Sequence, residues 1–118
     1  MNQAAEAQTL TVNNLAVDNE GFLLYPEDWD ESVALMLADT IDIEMNEERW
    51  VIVNFVREYF ETNQTVPEAR RALKAMSSAF GKEKATRKYL YKLFPYGYGQ
   101  QACKIAGMRK PLKLMLDM

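Results

Sequence analysis

Hydrophobic and polar positions follow two rhythms along this chain. Near the start the spacing is short: Thr9-Leu-Thr-Val12 and Leu15-Ala-Val17 flank Asn13-Asn14, a pair that tolerates the positive φ of a tight turn. Asp18-Asn-Glu-Gly21 makes a second turn before the apolar run Phe22-Leu-Leu-Tyr25, so a small β-hairpin is predicted here. From there the rhythm is helical. Asp28 is the expected cap of a helix over residues 30–39, with Val33, Ala34 and Leu37 facing inward. Asn46 caps a longer helix whose apolar positions Trp50, Val53, Val56 and Phe60 recur at helical spacing, and Glu47 and Glu48 suit the positive end of its dipole. The stretch Asn63-Gln-Thr-Val66 breaks it.

Pro67 fits the first turn of the next helix, which runs to about Phe80 and is closed by Gly81. Thr86 caps a fourth helix that stops before Pro95. Gly97 and Gly99 give a turn, a short helix follows over residues 100–106, and Gly107 is its C-cap. Lys110-Pro111 opens an extended arm. The pattern predicts a mainly α chain: a compact orthogonal bundle of about five helices, helix-turn-helix-like around Asn63–Pro67, with an N-terminal β-hairpin and a C-terminal arm. Residues 1–8 read as a flexible start, 9–107 as one domain and 108–118 as the arm. Trp29, Trp50, Phe55, Phe94 and the helically spaced methionines read as core.

At 118 residues and 48% hydrophobic, the chain suits a single domain with one modest core. It has no run of eighteen apolar residues, so no membrane partner is expected. The opening Met-Asn-Gln-Ala-Ala-Glu-Ala-Gln lacks the basic start and apolar block of a signal peptide. A single cysteine excludes an internal disulfide framework. These features point to a cytoplasmic setting.

The net charge of −3 conceals a division. The first 48 residues hold twelve acidic side chains and no Lys or Arg, whereas the remainder holds fourteen basic and five acidic ones. The two parts dock against each other or are simply solvated, or else the basic surface meets an anionic partner. Arg70, Arg71, Lys74, Lys82, Lys84, Arg87, Lys88 and Lys92 share a stretch whose only acid is Glu83. That stretch is the candidate surface for DNA, RNA or an acidic protein, with Lys104 and Lys110 as further candidates. An overall pI near 5.0 works against broad nucleic-acid affinity.

Candidate chemistry is sparse. The chain has no histidine and no Cys/His set for zinc, nor a glycine-rich phosphate loop, so no metal or other cofactor is expected. Glu47-Glu48 is better explained by helix-start electrostatics than by acid–base catalysis. Covalent chemistry would fall to Cys103. Its predicted place near a helix C-terminus disfavours a thiolate, which Lys104, Arg109 and Lys110 could offset. The alternative for Cys103 is a small buried apolar residue.

The segments Asp18 with Gly21-Phe22-Leu23, Trp29 and Ala34, Trp50 with Val53, Arg57-Glu-Tyr59, Pro67 with Arg70, and Lys74-Ala-Met76 precede the densest motif. That motif is Tyr89-Leu-Tyr-Lys-Leu-Phe-Pro95, Gly97, then Ala102-Cys-Lys-Ile-Ala-Gly107 ahead of Lys110-Pro111. In order and spacing these resemble the DsrC/TusE family over about residues 10–111. The resemblance implies a helical bundle with an N-terminal hairpin and a mobile arm whose cysteine carries sulfane sulfur as a persulfide. It also implies partners: other sulfur-relay proteins leading to tRNA thiolation, or a sulfite-reductase-like complex. In the family the arm cysteine follows Lys-Pro by three positions, and that position here is Leu114, followed by Met115-Leu-Asp-Met118. Cys103 stands at the place of the family's second, upstream cysteine. Tyr98 and Arg109 replace prolines the family often has. The resemblance therefore implies a divergent sulfurtransferase-type carrier or adaptor with no self-contained active site, in which Cys103 is the one possible sulfur acceptor. The other reading is a regulatory binding module using the basic helical face.

Overall fold

A computed structural model of the chain describes residues 10–12 and 14–111. The expected flexible start and the arm beyond Pro111, with Leu114, lie outside the described residues. Strands β1 (Leu10–Val12) and β2 (Leu15–Val17) pair antiparallel in the register Leu10↔Val17, Thr11↔Ala16 and Val12↔Leu15. Asn14 takes the positive φ of 70° that the two-residue connection demands. The Asp18 carboxylate then accepts from the backbone N–H groups of Glu20 and Phe22, at 2.8 and 2.9 Å, turning the chain back. Phe22 and Leu23 are thereby buried against the body, and Leu23 bridges to Val17.

Helix α1 spans Glu31–Thr40, α2 Glu47–Asn63, α3 Ala69–Phe80 and α4 Arg87–Leu93. A fifth helical segment, α5 (Tyr98–Cys103), has the wider π-helical winding. The fold is thus the predicted mostly helical body with a small N-terminal hairpin. Asn46 and Thr86 cap α2 and α4 as expected, accepting from the N–H groups of Arg49 and Tyr89. Asp28 does not cap α1. Pro26–Asp28 forms a 3₁₀ turn, and Asp30 accepts from the N–H of Val33 instead, because only Asp30 directly precedes the first helical residue. Pro67 likewise lies ahead of α3, whose N-cap is Glu68. Helix α2 stops where Gln64 adopts a left-handed φ of 58°.

Helices α2 and α3 pack across the Gln64–Glu68 turn, and α5 packs on α2. Ile52, Val53 and Val56 of α2 meet Ala72 and Met76 of α3, Leu90 of α4, and Ala102, Ile105 and Ala106 in one core. Removing this apolar surface from water is the main stabilising term. Ala34 and Leu37 are buried as predicted, whereas Val33 and Trp50 are only partly covered. Arg49 ties the start of α2 to the end of α4, its Nε donating to the carbonyl of Leu93 at 2.8 Å. None of the helices among the described residues is long and apolar enough to cross a membrane.

Candidate functional site

Residues 101–108 are buried without exception, an unusual run for a segment carrying a Gln, a Cys and a Lys. No buried side-chain nitrogen or oxygen in it lacks a hydrogen-bond partner. The Gln101 side-chain carbonyl accepts from the N–H of Tyr96 at 3.0 Å. The Tyr98 hydroxyl donates to the carbonyl of Pro67 at 2.8 Å, joining α5 to the start of α3. Cys103 sits behind that tyrosine with no exposed surface. Burial pushes its thiol up to about 12, and a hydrogen bond with the Tyr98 hydroxyl only partly opposes this. Burial, and next the neighbouring thiol, push the Tyr98 phenol upward too. A thiol held neutral and out of reach is no nucleophile in this conformation.

Two of the three cations expected to favour a Cys103 thiolate, Lys104 and Lys110, are engaged elsewhere. The Lys104 ammonium donates to the carbonyl of Glu20 at 2.7 Å and lies 4.7 Å from the centre of the Phe22 ring. Burial lowers its pKa, with Asp18 and Glu20 pulling the other way. Lys110 forms an ion pair with the Glu20 carboxylate, which raises its pKa. Both lysines thus fasten the end of the domain to the turn after the hairpin.

Arg57 completes that fastening. Its guanidinium, 8% exposed, donates to the carbonyls of Pro26 at 2.8 Å and Ala106 at 3.4 Å, and pairs with Glu61 at 3.0 Å. It lies 4.8 Å from the Trp29 ring centre and 5.8 Å from that of Phe60. The Trp29 indole N–H donates to the carbonyl of Ile105 at 2.7 Å. Gly107 has φ +79°, and a Cβ there would stand 2.4 Å from a ring carbon of Trp29. Only glycine allows the indole to lie this close to the backbone. Arg57 and Trp29 together satisfy two successive carbonyls just before the arm, which fixes where and in which direction it leaves the body. Beyond them a cleft of about 290 Å³ opens between Pro26, Phe60, the Gln64–Val66 loop and Met108–Pro111.

The profile of the DsrC-like protein family matches residues 9–115. The chain belongs to the DsrC-like family. A sulfurtransferase TusE of Photorhabdus laumondii is 40% identical over 99 residues, covering 84% of this chain and 89% of that protein. The solution structure of DsrC from Allochromatium vinosum superposes with a TM-score of 0.75 at 46% identity, covering 89% of this chain and 96% of that one. The oxidized gamma-subunit of the dissimilatory sulfite reductase (DsrC) from Archaeoglobus fulgidus gives 0.77 at 36% identity, covering 88% and 96%.

For a DsrC-like chain, the structure separates the sequence-derived candidates into three groups. Cys103 lies inside the body, and Lys104 and Lys110 lie at the root of the arm. Arg70, Arg71, Lys74, Lys84, Arg87, Lys88 and Lys92 are exposed along α3, the following 3₁₀ turn and α4. Of these, Arg70 and Arg71 share the Glu68 carboxylate, and Lys84 pairs with Glu48, which also accepts from the Tyr89 hydroxyl. The Tyr89 and Lys84 hydrogen bonds hold the Glu48 carboxyl below its ordinary value. No group of His, Cys, Asp and Glu side chains that could hold a metal is found among the described residues.

The role of Arg57 and Trp29 was not read from the sequence, although one signal was present. Val53, Val56, Arg57 and Phe60 share the inward stripe of α2, so a cation stands where the helical rhythm calls for an apolar residue. A charge in such a position must find partners inside the fold.

Proposed function

We propose that this DsrC-like protein works in a sulfur relay through protein partners, as an adaptor whose own carrying step is altered. The family match supports the relay: it extends to residue 115 and so takes in position 114, and the relatives include a sulfurtransferase TusE. The observation that carries the altered step is the state of Cys103, the only thiol, which is fully buried and protonated. At position 114, where the family resemblance places the carrier cysteine, the chain has Leu114. Partners under this reading are other sulfur-relay proteins or a sulfite-reductase-like complex, in the cytoplasm. They would meet the arm root at exposed Arg109 and Lys110.

Sulfur transfer to a carrier needs a thiolate to attack the outer sulfur of a donor persulfide. A new S–S bond forms, the donor's S–S bond breaks, and the donor leaves as a thiolate. Native protein mixed with a persulfide donor is expected to gain no mass, whereas Leu114→Cys gains about 32 Da, one sulfur atom, on the arm peptide. Gain of that mass on Cys103 in the native wild type would instead make the protein a carrier through an opened α5. If Leu114→Cys also stays unmodified with a donor that loads other carriers, the relay reading itself falls.

A second reading, a regulatory module binding DNA, RNA or an acidic protein, draws on Lys74, Lys82 and Lys88. All three are exposed, with no ion pair among the described residues. The first reading is favoured because Glu68 and Glu48 already offset three neighbouring cations. Binding of this kind would weaken steeply with salt, and no gel retardation of tRNA or duplex DNA at low salt would remove it.

A further inference from the structure

The connection between α1 and α2 alternates in character. Ile41, Ile43 and Met45 pack against the core, which leaves Asp42 and Glu44 exposed between them, and Glu47 opens α2 in solvent. Helix α4 presents the opposite sign. Burial of Leu90 and Leu93 leaves Lys88, Tyr91 and Lys92 on its outer face, with Tyr91 52% exposed. The two patches are neighbours. The Arg49 guanidinium donates to the carbonyls of Glu44 at 2.6 Å and Leu93 at 2.8 Å, and Lys84 crosses the seam to Glu48 at 3.1 Å. Asp42, Glu44, Glu47 and Lys88 make no ion pair among the described residues.

Adjacent patches of opposite sign have a geometric consequence. A two-fold axis through the seam lays the acidic patch of each copy on the basic patch of the other, so both are matched at once. A polyanion would match the basic half alone and be repelled by the carboxylates beside it. Tyr91, next to Lys92 and one turn from Lys88, adds the aromatic area that such contacts favour. We propose that this face binds a second copy of the chain in a two-fold, salt-sensitive dimer. Asp42, Glu44 and Glu47 of each protomer face Lys88 and Lys92 of the other. None of these residues lines the arm-root cleft, and the contact depends on neither functional reading.

The test is sedimentation of the full chain up to about 1 mM, in about 10 mM and about 1 M sodium chloride, where the screening length is about 30 Å and about 3 Å. The average mass is expected to rise from one chain toward two with concentration at low salt and to stay near one at high salt. A single chain at every concentration in low salt overturns the dimer. Glu44→Lys with Glu47→Lys takes the net charge from −3 to +1. Overall repulsion therefore falls, yet self-association should weaken more than about tenfold, because like charges now face each other. Lys88→Glu with Lys92→Glu should weaken it equally. Mixed together, the two variants should pair again, since each reversed patch then meets its complement. Self-association of either variant at wild-type strength, or a mixture that stays monomeric while the wild type associates, would place the contact on another face and overturn the proposal. All four positions are exposed, and far-UV circular dichroism checks that both variants fold.

Discussion

The arm root and the α3–α4 face each gather cations, yet they treat them in opposite ways. At the root, Arg57 and Lys104 are buried, and they are spent on backbone carbonyls and aromatic faces. On the α3–α4 face, Arg70, Arg71 and Lys84 stay in solvent and meet carboxylates at its edge. The difference teaches that charge density in the sequence does not locate the structurally decisive cation. A buried guanidinium missing its partners, or carbonyls missing theirs, is costly, whereas exposed pairs are screened by water.

The sharpest way to break this contrast is Gly107→Ala. Positive φ and a clash with the Trp29 ring are expected to cost about 3 kcal/mol in urea unfolding. A loss below about 1 kcal/mol would show that the indole moves aside and that the root is not wedged. Next comes Arg57→Met, expected to lose about 2–3 kcal/mol by stranding the carbonyls of Pro26 and Ala106. Arg57→Lys should recover little of this, since one ammonium cannot span the same partners.

The thiol gives a smaller and pH-dependent effect. Cys103 holds its proton in the folded state up to about 12, against 9.0 for an exposed thiol. The folded state therefore binds more protons than the unfolded one across that window, and stability falls as pH rises through it. The slope from this one group approaches at most about 1.4 kcal/mol per pH unit. Unfolding of Cys103→Ala followed from pH 8 upward should lack that component. Equal slopes in both proteins would mean that the thiol ionises readily in the fold. Smallest of all is Lys84→Gln on the α3–α4 face, whose unfolding midpoint should match the wild type within error. A clear drop there would erase the distinction between the two regions.

Much of the architecture was legible because local rules were obeyed. Asn46 and Thr86 cap the helices they precede, Asn14 turns the hairpin and Gly107 takes a positive φ, each for a reason contained in a few neighbouring residues. The expected cap of α1 was the local exception: Asp30 rather than Asp28 caps it, because Pro26–Asp28 closes a turn of its own. The division of charge between the two parts of the chain was also plain. How little of it is used in docking was not: Lys84–Glu48 and Lys110–Glu20 join them, while Glu27, Asp28, Asp30, Glu31, Asp39, Asp42, Glu44 and Glu47 stay exposed.

By itself the sequence determined the helices, the hairpin, the family resemblance, the single thiol at Cys103 and the leucine at 114, because each is a matter of residue identity and short-range spacing. Whether that thiol can react, and which cation matters, was decided only by the tertiary structure. Packing α5 against α2 removed water from Cys103 and raised its pKa, and packing Trp29 over Gly107 brought the Ala106 carbonyl to Arg57, 49 residues away. Desolvation and long-range carbonyl contacts depend on what the folded chain brings together, and no local window of sequence contains them.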